Sequence, residues 1–513
     1  MAYANPRPAN YVALLSAQVY RYPFAPNPSW SKFYASSNEI HDYLKRFSRN
    51  HNLDQSIHFD SKVVEARWYE ASGTWRVKIE GRIDEVESEI LINAGGILNN
   101  PKFPSIDGFS NFAGQQLHTA SWDPTVKLDG KRVAIIGAGA SAVQLLPQIQ
   151  PICSHVDVYI RTPSWITAPA GLCSTDPDEL NPTYNKRDKE RFLEDEDSYL
   201  DTRKELENYF NGNFLAFFKK SPEQRKLKTK YESRMKELIP DEQLRKKLIP
   251  PFEAGCRRIN PGEQYLVALQ KPNVRPIFES IEKITATGVV LSGGIEQPAD
   301  TLIAATGFDT TFRPRFPIIG RDGVNLQDLW HDEPTSYMGT GVSGFPNYLT
   351  FLGPNTPISN GSLMGSLEAT SDYFIRLLRK VLRQRVKCFD VRKEAQIDFV
   401  NHTHAYMEDM VWTGTCHSWF KTNGKVTALW PGSSLHYIQT LAEDRWEDYE
   451  WIYTEQNRFN YWGSGISWVE DHSVDPLGVD ESDSRATTAT IPRKGCDISF
   501  YLRKHAPLSE NAS

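Results

Sequence analysis

The stretch from Lys131 to Pro163, KRVAIIGAGASAVQLLPQIQPICSHVDVYIRTP, constrains this chain more than any other. Arg132 to Ile136 is a short apolar run suited to a buried parallel strand. Gly137-Ala138-Gly139-Ala140-Ser141-Ala142 then forms a G-x-G-x-x-A turn, a helix follows to about Ile149, and Val156 to Ile160 makes a second strand. This is the pattern of a dinucleotide-binding βαβ unit. Gly137 permits the tight turn, Gly139 lets the backbone approach a pyrophosphate, and Ala142 lets helix and sheet pack closely. The helix N-terminus turns free N–H groups and the positive end of its dipole towards the phosphates. An NAD site would carry an acid for the ribose hydroxyls at the end of the second strand. Here Arg161-Thr162 stands there, 24 residues after Gly137. A guanidinium suits a ribose 2′-phosphate, so the expected nucleotide is NADPH.

The chain has 513 residues, 40% hydrophobic and 24% charged, enough for two or three domains with cores of their own. A net charge of −6 gives no reason to expect nucleic acid as a partner. No apolar run approaches the roughly 18 residues of a membrane-spanning helix, and the N-terminus lacks a basic-then-apolar signal pattern. The six cysteines (Cys153, Cys173, Cys256, Cys388, Cys416, Cys496) have no C-x-x-C spacing. That excludes a disulfide scaffold or a zinc ribbon and points to a reducing, intracellular and cytoplasmic setting. With 13 Trp, 22 Tyr and 25 Phe, the chain also has the means to line a site for a flat cofactor or polycyclic substrate.

Before the nucleotide unit, a helix is predicted over Ser37 to Asn50, and strands over Ile57 to Phe59, Val63 to Trp68, Thr74 to Ile79 and Glu89 to Asn93. After it, the highly charged run from Asp176 to Leu248 reads as a helical insertion, with Leu206, Phe210, Phe214 and Phe217 on one helical face. Cys256-Arg257-Arg258 follows an apolar Ile249-Pro250-Pro251-Phe252 turn and suggests a loop aimed at an anion. Thr301 to Ala304 is a strand ending in Ala305-Thr306-Gly307-Phe308-Asp309, which echoes the strand and Ala94-Gly95-Gly96 before the unit. Two crossings at those points would make the nucleotide unit an insertion within another domain.

Several of these pieces converge on one family. Phe112-x-Gly114-x-x-x-His118-x-x-x-Trp122-Asp123, just before the glycine turn, resembles the fingerprint of Baeyer–Villiger monooxygenases within the wider flavin-containing monooxygenase group. The resemblance covers roughly residues 18 to 465. Trp430-Pro431-Gly432-Ser433 and Arg445 to Tyr449 look most like fungal members acting on polyketides. It implies FAD and NADPH, O₂ as co-substrate, and conversion of a ketone to an ester or lactone. Arg258 matches the family's active-site arginine, and Arg257 a position near the NADP phosphate. Gly137, Ala138, Gly139, Ser141, Ala142, Gln144, Arg161 and Thr162 match the NADP turn and 2′-phosphate loop, while Tyr20, Val63 and Leu363 align with positions lining the flavin. Phe112, Gly114, His118, Trp122 and Asp123 are expected to link domains and not to react. No metal site is expected.

The implied fold is α/β with two dinucleotide-binding Rossmann-like domains, the FAD domain discontinuous and incomplete at its N-terminal side. The expected division is 1–120 for the partial FAD domain and 121–304 for the NADPH domain, with the helical insertion at about 174–250. Residues 305–473 would continue the FAD domain and substrate region, and 474–513 would form a flexible tail. The family's first G-x-G-x-x-G, for the FAD pyrophosphate, its ribose acid and its Y-P-G-x-x-x-D segment have no counterpart here. An incomplete coding sequence, with Met1 to about Ser16 foreign to the protein, would account for this. So would a short NADPH-binding protein that holds little flavin and has no oxygenase activity. An N- or S-oxygenating flavin monooxygenase is the third reading.

Overall fold

A computed structural model describes residues 16–168, 181–357, 359–463, 465–466 and 499. Residues 1–15, the start of the charged insertion, Cys173, Cys496 and the expected tail other than Ser499 lie outside that set. The chain divides into two compact units, Met1–Tyr373 with Asp390–Glu450, and Phe374–Phe389 with Trp451–Ser513. In the smaller unit Lys380 lies over the Trp451 ring, 4.7 Å from its centroid, and the Thr454 amide bonds to the Arg385 carbonyl. The larger unit carries the features below.

The nucleotide unit forms as its sequence dictates. Arg132–Ile136 is the middle strand of a five-stranded parallel sheet, flanked on one side by His155–Tyr159 and Val274–Ile277 and on the other by Thr301–Ala304 and Gln115–His118. Its side chains alternate between two cores. Val133 and Ile135 face the helix Ala140–Ile149, with Ala142, Leu145 and Leu146, whereas Ala134 and Ile136 face Ile284, Val289 and Leu291. Burial on both faces explains why the strand is apolar from Val133 on, and each fully buried Val or Ile side chain contributes about 1.5–3 kcal/mol. The Asp300 carboxylate fixes the strand's start by accepting from the Arg132 amide and pairing with its guanidinium at 2.7 Å.

Three expectations change. Gln115–His118, assigned from sequence to the preceding domain, is the edge strand of this parallel sheet, in register with Thr301–Ala304. Leu206, Phe210, Phe214 and Phe217 do not share a helical face. The helix Glu196–Asn211 ends before Gly212, and Phe214–Phe217 is a separate 3₁₀ turn. Leu206 and Phe210 pack with Val19 and Phe33, while Phe214 and Phe217 pack with Trp412. Ile57 to Phe59 forms no strand, and Ile57 and Phe59 stand 43% and 68% exposed. A β-prone tripeptide without a partner ladder has nothing to pair with.

The rest of the insertion is helical over Lys186–Glu194, Glu196–Asn211, Pro222–Leu238 and Glu242–Leu248. Asn185, Asp195, Ser221 and Asp241 cap these helices through their side chains. The hairpin Val63–Tyr69 and Thr74–Ile79 belongs to a four-stranded sheet with Val86–Ser88 and Ile318–Ile319. Among the described residues, the strand Leu91–Asn93 pairs in parallel with Tyr348–Thr350 alone.

Candidate nucleotide and oxygen-transfer site

The glycine turn is shaped by what crosses it. Gly137 has φ +118°, and a Cβ there would stand 2.6 Å from the Ala305 carbonyl oxygen. That carbonyl belongs to the chain leaving Thr301–Ala304, so the sequence echo at 305–307 is packed directly against the turn. Gly139 begins the helix Ala140–Ile149 with no atom within 4 Å of its Cβ direction, open space for a phosphate. Ser141 and Gln144 lie half-buried on the first turns of that helix, Ala142 is fully buried against the sheet, and Ala138 accepts a hydrogen bond from Ser164 Oγ at 3.0 Å.

Arg161 and Thr162 follow the second strand, and Arg257 reaches them from the far side of the insertion. Its Nη1 donates to the Thr162 carbonyl at 3.4 Å. Burial lowers the Arg257 pKa, and the nearby charge of Arg161 lowers it further. Two guanidiniums whose charges act on each other at the turn, neither with a carboxylate ion pair among the described residues, suit a ribose 2′-phosphate. The strand's own acid, Asp157, is committed elsewhere and accepts from Arg275 at 2.8 and 2.9 Å. The residues therefore fit NADPH. Arg258, next in the chain, is half-buried and also has no carboxylate partner among the described residues. The following backbone is fixed by the Asn260 amide, which donates to the Trp165 carbonyl at 3.0 Å.

The fingerprint residues do mechanical work. Phe112 is buried beside Ile284 and Leu302. A Cβ on Gly114 would stand 2.4 Å from the Asp300 carbonyl and 2.6 Å from the Phe112 ring, so only glycine lets this strand close onto its neighbour. His118 is 1% exposed, and its Nδ1 accepts from the Ala120 amide at 3.0 Å. Its ring meets Phe103 and Phe308 edge-on, and burial lowers its pKa against the opposing effect of the Lys102 and Gly307 backbone. It thus packs between the loop at Lys102 and Phe103 and the chain at Gly307 and Phe308. Trp122 packs on the nucleotide-domain core, and Asp123 accepts from the amide and hydroxyl of Thr125, which lowers its pKa.

For FAD the fit is confined to one end. Ser362 Oγ donates to the Val19 carbonyl at 3.1 Å, bringing Tyr20 and Leu363, the first residue of the helix Leu363–Arg383, to one junction. Gln18 Nε2, Asn360 Nδ2 and Ser366 Oγ are buried there without hydrogen-bond partners, which suits the polar edge of a ring system. Val63, the third expected flavin residue, lies in the four-stranded sheet, paired with Ile79. The G-x-G-x-x-G spacing recurs at Gly339 to Gly344, but that stretch leads through turns into the strand Tyr348–Thr350 and opens no helix, so it offers no helix N-terminus to the FAD phosphates.

Sequence reasoning missed the covalent tie in this region. Cys256 and Cys416 form a disulfide across 160 residues, with Cα atoms 6.2 Å apart, and both side chains are buried in the nucleotide-domain core. Cysteine spacing could not have revealed it, because only the tertiary fold brings the two together. The reducing setting expected from the scattered cysteines did not anticipate this bond, while Cys153 and Cys388 are free.

The description of the flavin-binding monooxygenase-like family matches residues 15–177. The chain is 36% identical to FAD-binding monooxygenase stcW of Emericella nidulans over 467 residues, covering 88% of this chain and 77% of that one. It is 31% identical to a Baeyer–Villiger monooxygenase of Pseudomonas aeruginosa, covering 82% and 79%. Among solved structures, cyclohexanone monooxygenase from Rhodococcus sp. Phi1 bound to NADP+ superposes with a TM-score of 0.77 at 23% identity, over 88% of this chain and 92% of that one. A complex of OTEMO with FAD and NADP gives 0.75 at 21% identity, over the same shares.

Proposed function

Because this chain belongs to the flavin-binding monooxygenase-like family, with Baeyer–Villiger monooxygenases among its relatives, we propose that it is an FAD- and NADPH-dependent monooxygenase of Baeyer–Villiger type. Its substrate is a ketone of a secondary metabolite, converted with O₂ to an ester or lactone. The polyketide character of that metabolite rests on the resemblance of the Trp430 to Ser433 and Arg445 to Tyr449 segments to fungal members. When bound, NADPH supplies a hydride and FAD passes the electrons to O₂.

The chain's own residues divide the remaining work. The turn Gly137 to Ala142 receives the NADPH pyrophosphate, and Arg161, Thr162 and Arg257 hold its 2′-phosphate. Tyr20 and Leu363 border the flavin ring. Arg258 stabilises negative charge developing on the substrate's carbonyl oxygen, a role for a fixed cation in a site poor in water. The observation that carries this reading is the tandem on one fixed loop, with Arg257 on the Thr162 carbonyl and Arg258 beside it without a carboxylate partner among the described residues.

Purified chain should show flavin absorbance at one equivalent after incubation with FAD and should turn over a ketone in preference to an amine or sulfide. A chain that binds NADPH but retains no flavin would support the flavin-poor reading, and preferred N- or S-oxide formation the third. Arg161→Ala should raise the KM for NADPH about 30-fold, the loss of one or two charge-assisted hydrogen bonds. The KM for NADH should hardly move, and an equal change for both nucleotides would remove Arg161 from the 2′-phosphate site. Dependence on NADPH supports a place inside the cell. No described helix is long and apolar enough to cross a membrane.

A further inference from the structure

The charges of four basic side chains act on a fifth, His417, and the five come from four separate stretches. Arg161 leaves the strand itself, Arg257 comes from the turn after the insertion, and Lys102 from the linker before the fingerprint. His417 and Lys421 arrive from a segment more than 150 residues further on than Arg257. Partial burial and the charges of Arg161, Arg257, Lys421 and Lys102 lower the His417 pKa. None of the five has a carboxylate ion pair among the described residues. Cations gathered in excess of the nearby carboxylate repel one another, so an anion entering the cluster would be stabilised by it.

His417 and Lys421 are held there covalently. Cys416 precedes His417, Cys256 precedes Arg257, and the two cysteines are bonded. Lys421 Nζ donates to the Gly414 carbonyl at 2.6 Å and lies 4.0 Å from Cys416 Sγ. On the other side Arg257 is anchored on the Thr162 carbonyl. Glu253 is the acid on this side, its Oε2 3.2 Å from where a Cβ on Gly414 would stand. The disulfide therefore ties the segment that carries His417 and Lys421 to the one that carries Arg257.

We propose that His417 is a further ligand of the donor nucleotide's 2′-phosphate, and that the Cys256–Cys416 disulfide positions it opposite Arg161 and Arg257. This rests on the NADPH reading above and deepens it, since neither the glycine turn nor the fingerprint includes this segment. The ligand class is a nucleotide bearing a ribose 2′-monophosphate. Its dianion would offset the four surrounding cations, so the imidazole can protonate and donate a hydrogen bond as the phosphate docks.

The test uses the full chain and calorimetric titration with 2′,5′-ADP and with 5′-ADP, probes that need neither flavin nor turnover. Wild type should prefer 2′,5′-ADP; absence of any preference would remove the NADPH reading itself. His417→Ala should lower the preference about tenfold with 5′-ADP affinity unchanged, and His417→Lys should restore it. A preference untouched by His417→Ala overturns the present proposal alone. The paired change Cys256→Ala with Cys416→Ala should lower the preference to the same extent, and an unchanged preference would overturn the positioning role. Should that variant fail to fold, wild type treated with a dithiol serves instead. The Sγ–Sγ bond is then cleaved to two thiols while the dithiol is oxidised to its own disulfide. Loss of 2′-phosphate preference on reduction, regained on reoxidation, is the expected result, and a reduced protein with full preference would overturn it.

Discussion

Arg258→Ala should lower product formation about 10²- to 10³-fold while reduction by NADPH continues at close to the wild-type rate. The size follows from removing one preorganised donor to developing negative charge, about 2.7–4 kcal/mol in a site shielded from water. The separation of the two half-reactions follows from position. Arg257 and Arg161, not Arg258, form the cationic pair at the nucleotide turn. The loop should survive the substitution, because its backbone is tied by the Cys256–Cys416 bond and by the Asn260 amide on Trp165. Arg258→Lys should recover only part of the activity, since a lysine offers a point charge without the planar fork. Anaerobic stopped-flow reduction, with product analysis under air normalised to bound flavin, separates the steps. Ester formation at the wild-type rate by the alanine variant would remove Arg258 from the oxygen-transfer step.

Much of the nucleotide domain was legible because its signals are local. The apolar runs at Arg132–Ile136 and Thr301–Ala304 coincide with strands, and the amphipathic run Ser37–Asn50 is a helix capped by Ser36. Gln115–His118 was illegible for the opposite reason. Gln-Gln-Leu-His has no strand pattern, and only its ladder with Thr301–Ala304 makes it one. Ile57 to Phe59 has the composition of a strand and lacks the ladder. Strand propensity describes fitness for a sheet, and partners decide whether the sheet exists. The same distinction governs the site. The glycine turn and Arg161 lie within one supersecondary unit and carry their meaning in the sequence. His417 and Lys421 carry none until Cys416 meets Cys256. The fingerprint lies between these cases, recognisable by its spacing, while the mechanical reason for Gly114 needed the Asp300 carbonyl beside it.

Gly137→Ala should lower both stability and nucleotide affinity, and its comparison with Gly139→Ala should separate fold from binding. At φ +118° an alanine pays a backbone cost of about 1–3 kcal/mol. Its Cβ would also stand 2.6 Å from the Ala305 carbonyl oxygen, a backbone atom that moves only if the crossing strand moves. Overpacking of that kind adds about 1–3 kcal/mol, so the total is about 2–6 kcal/mol, and displacement of the turn should make NADPH binding undetectable. Gly139 has φ −87° and no atom within 4 Å of its Cβ direction. Gly139→Ala should therefore unfold at the wild-type midpoint while losing NADPH affinity, because its methyl group fills the space a pyrophosphate must enter. Chemical denaturation with and without NADPH measures both quantities. Wild-type affinity in Gly139→Ala would mean that the nucleotide does not approach this turn, and an unchanged midpoint in Gly137→Ala would mean that the Ala305 crossing yields more readily than a packed backbone should.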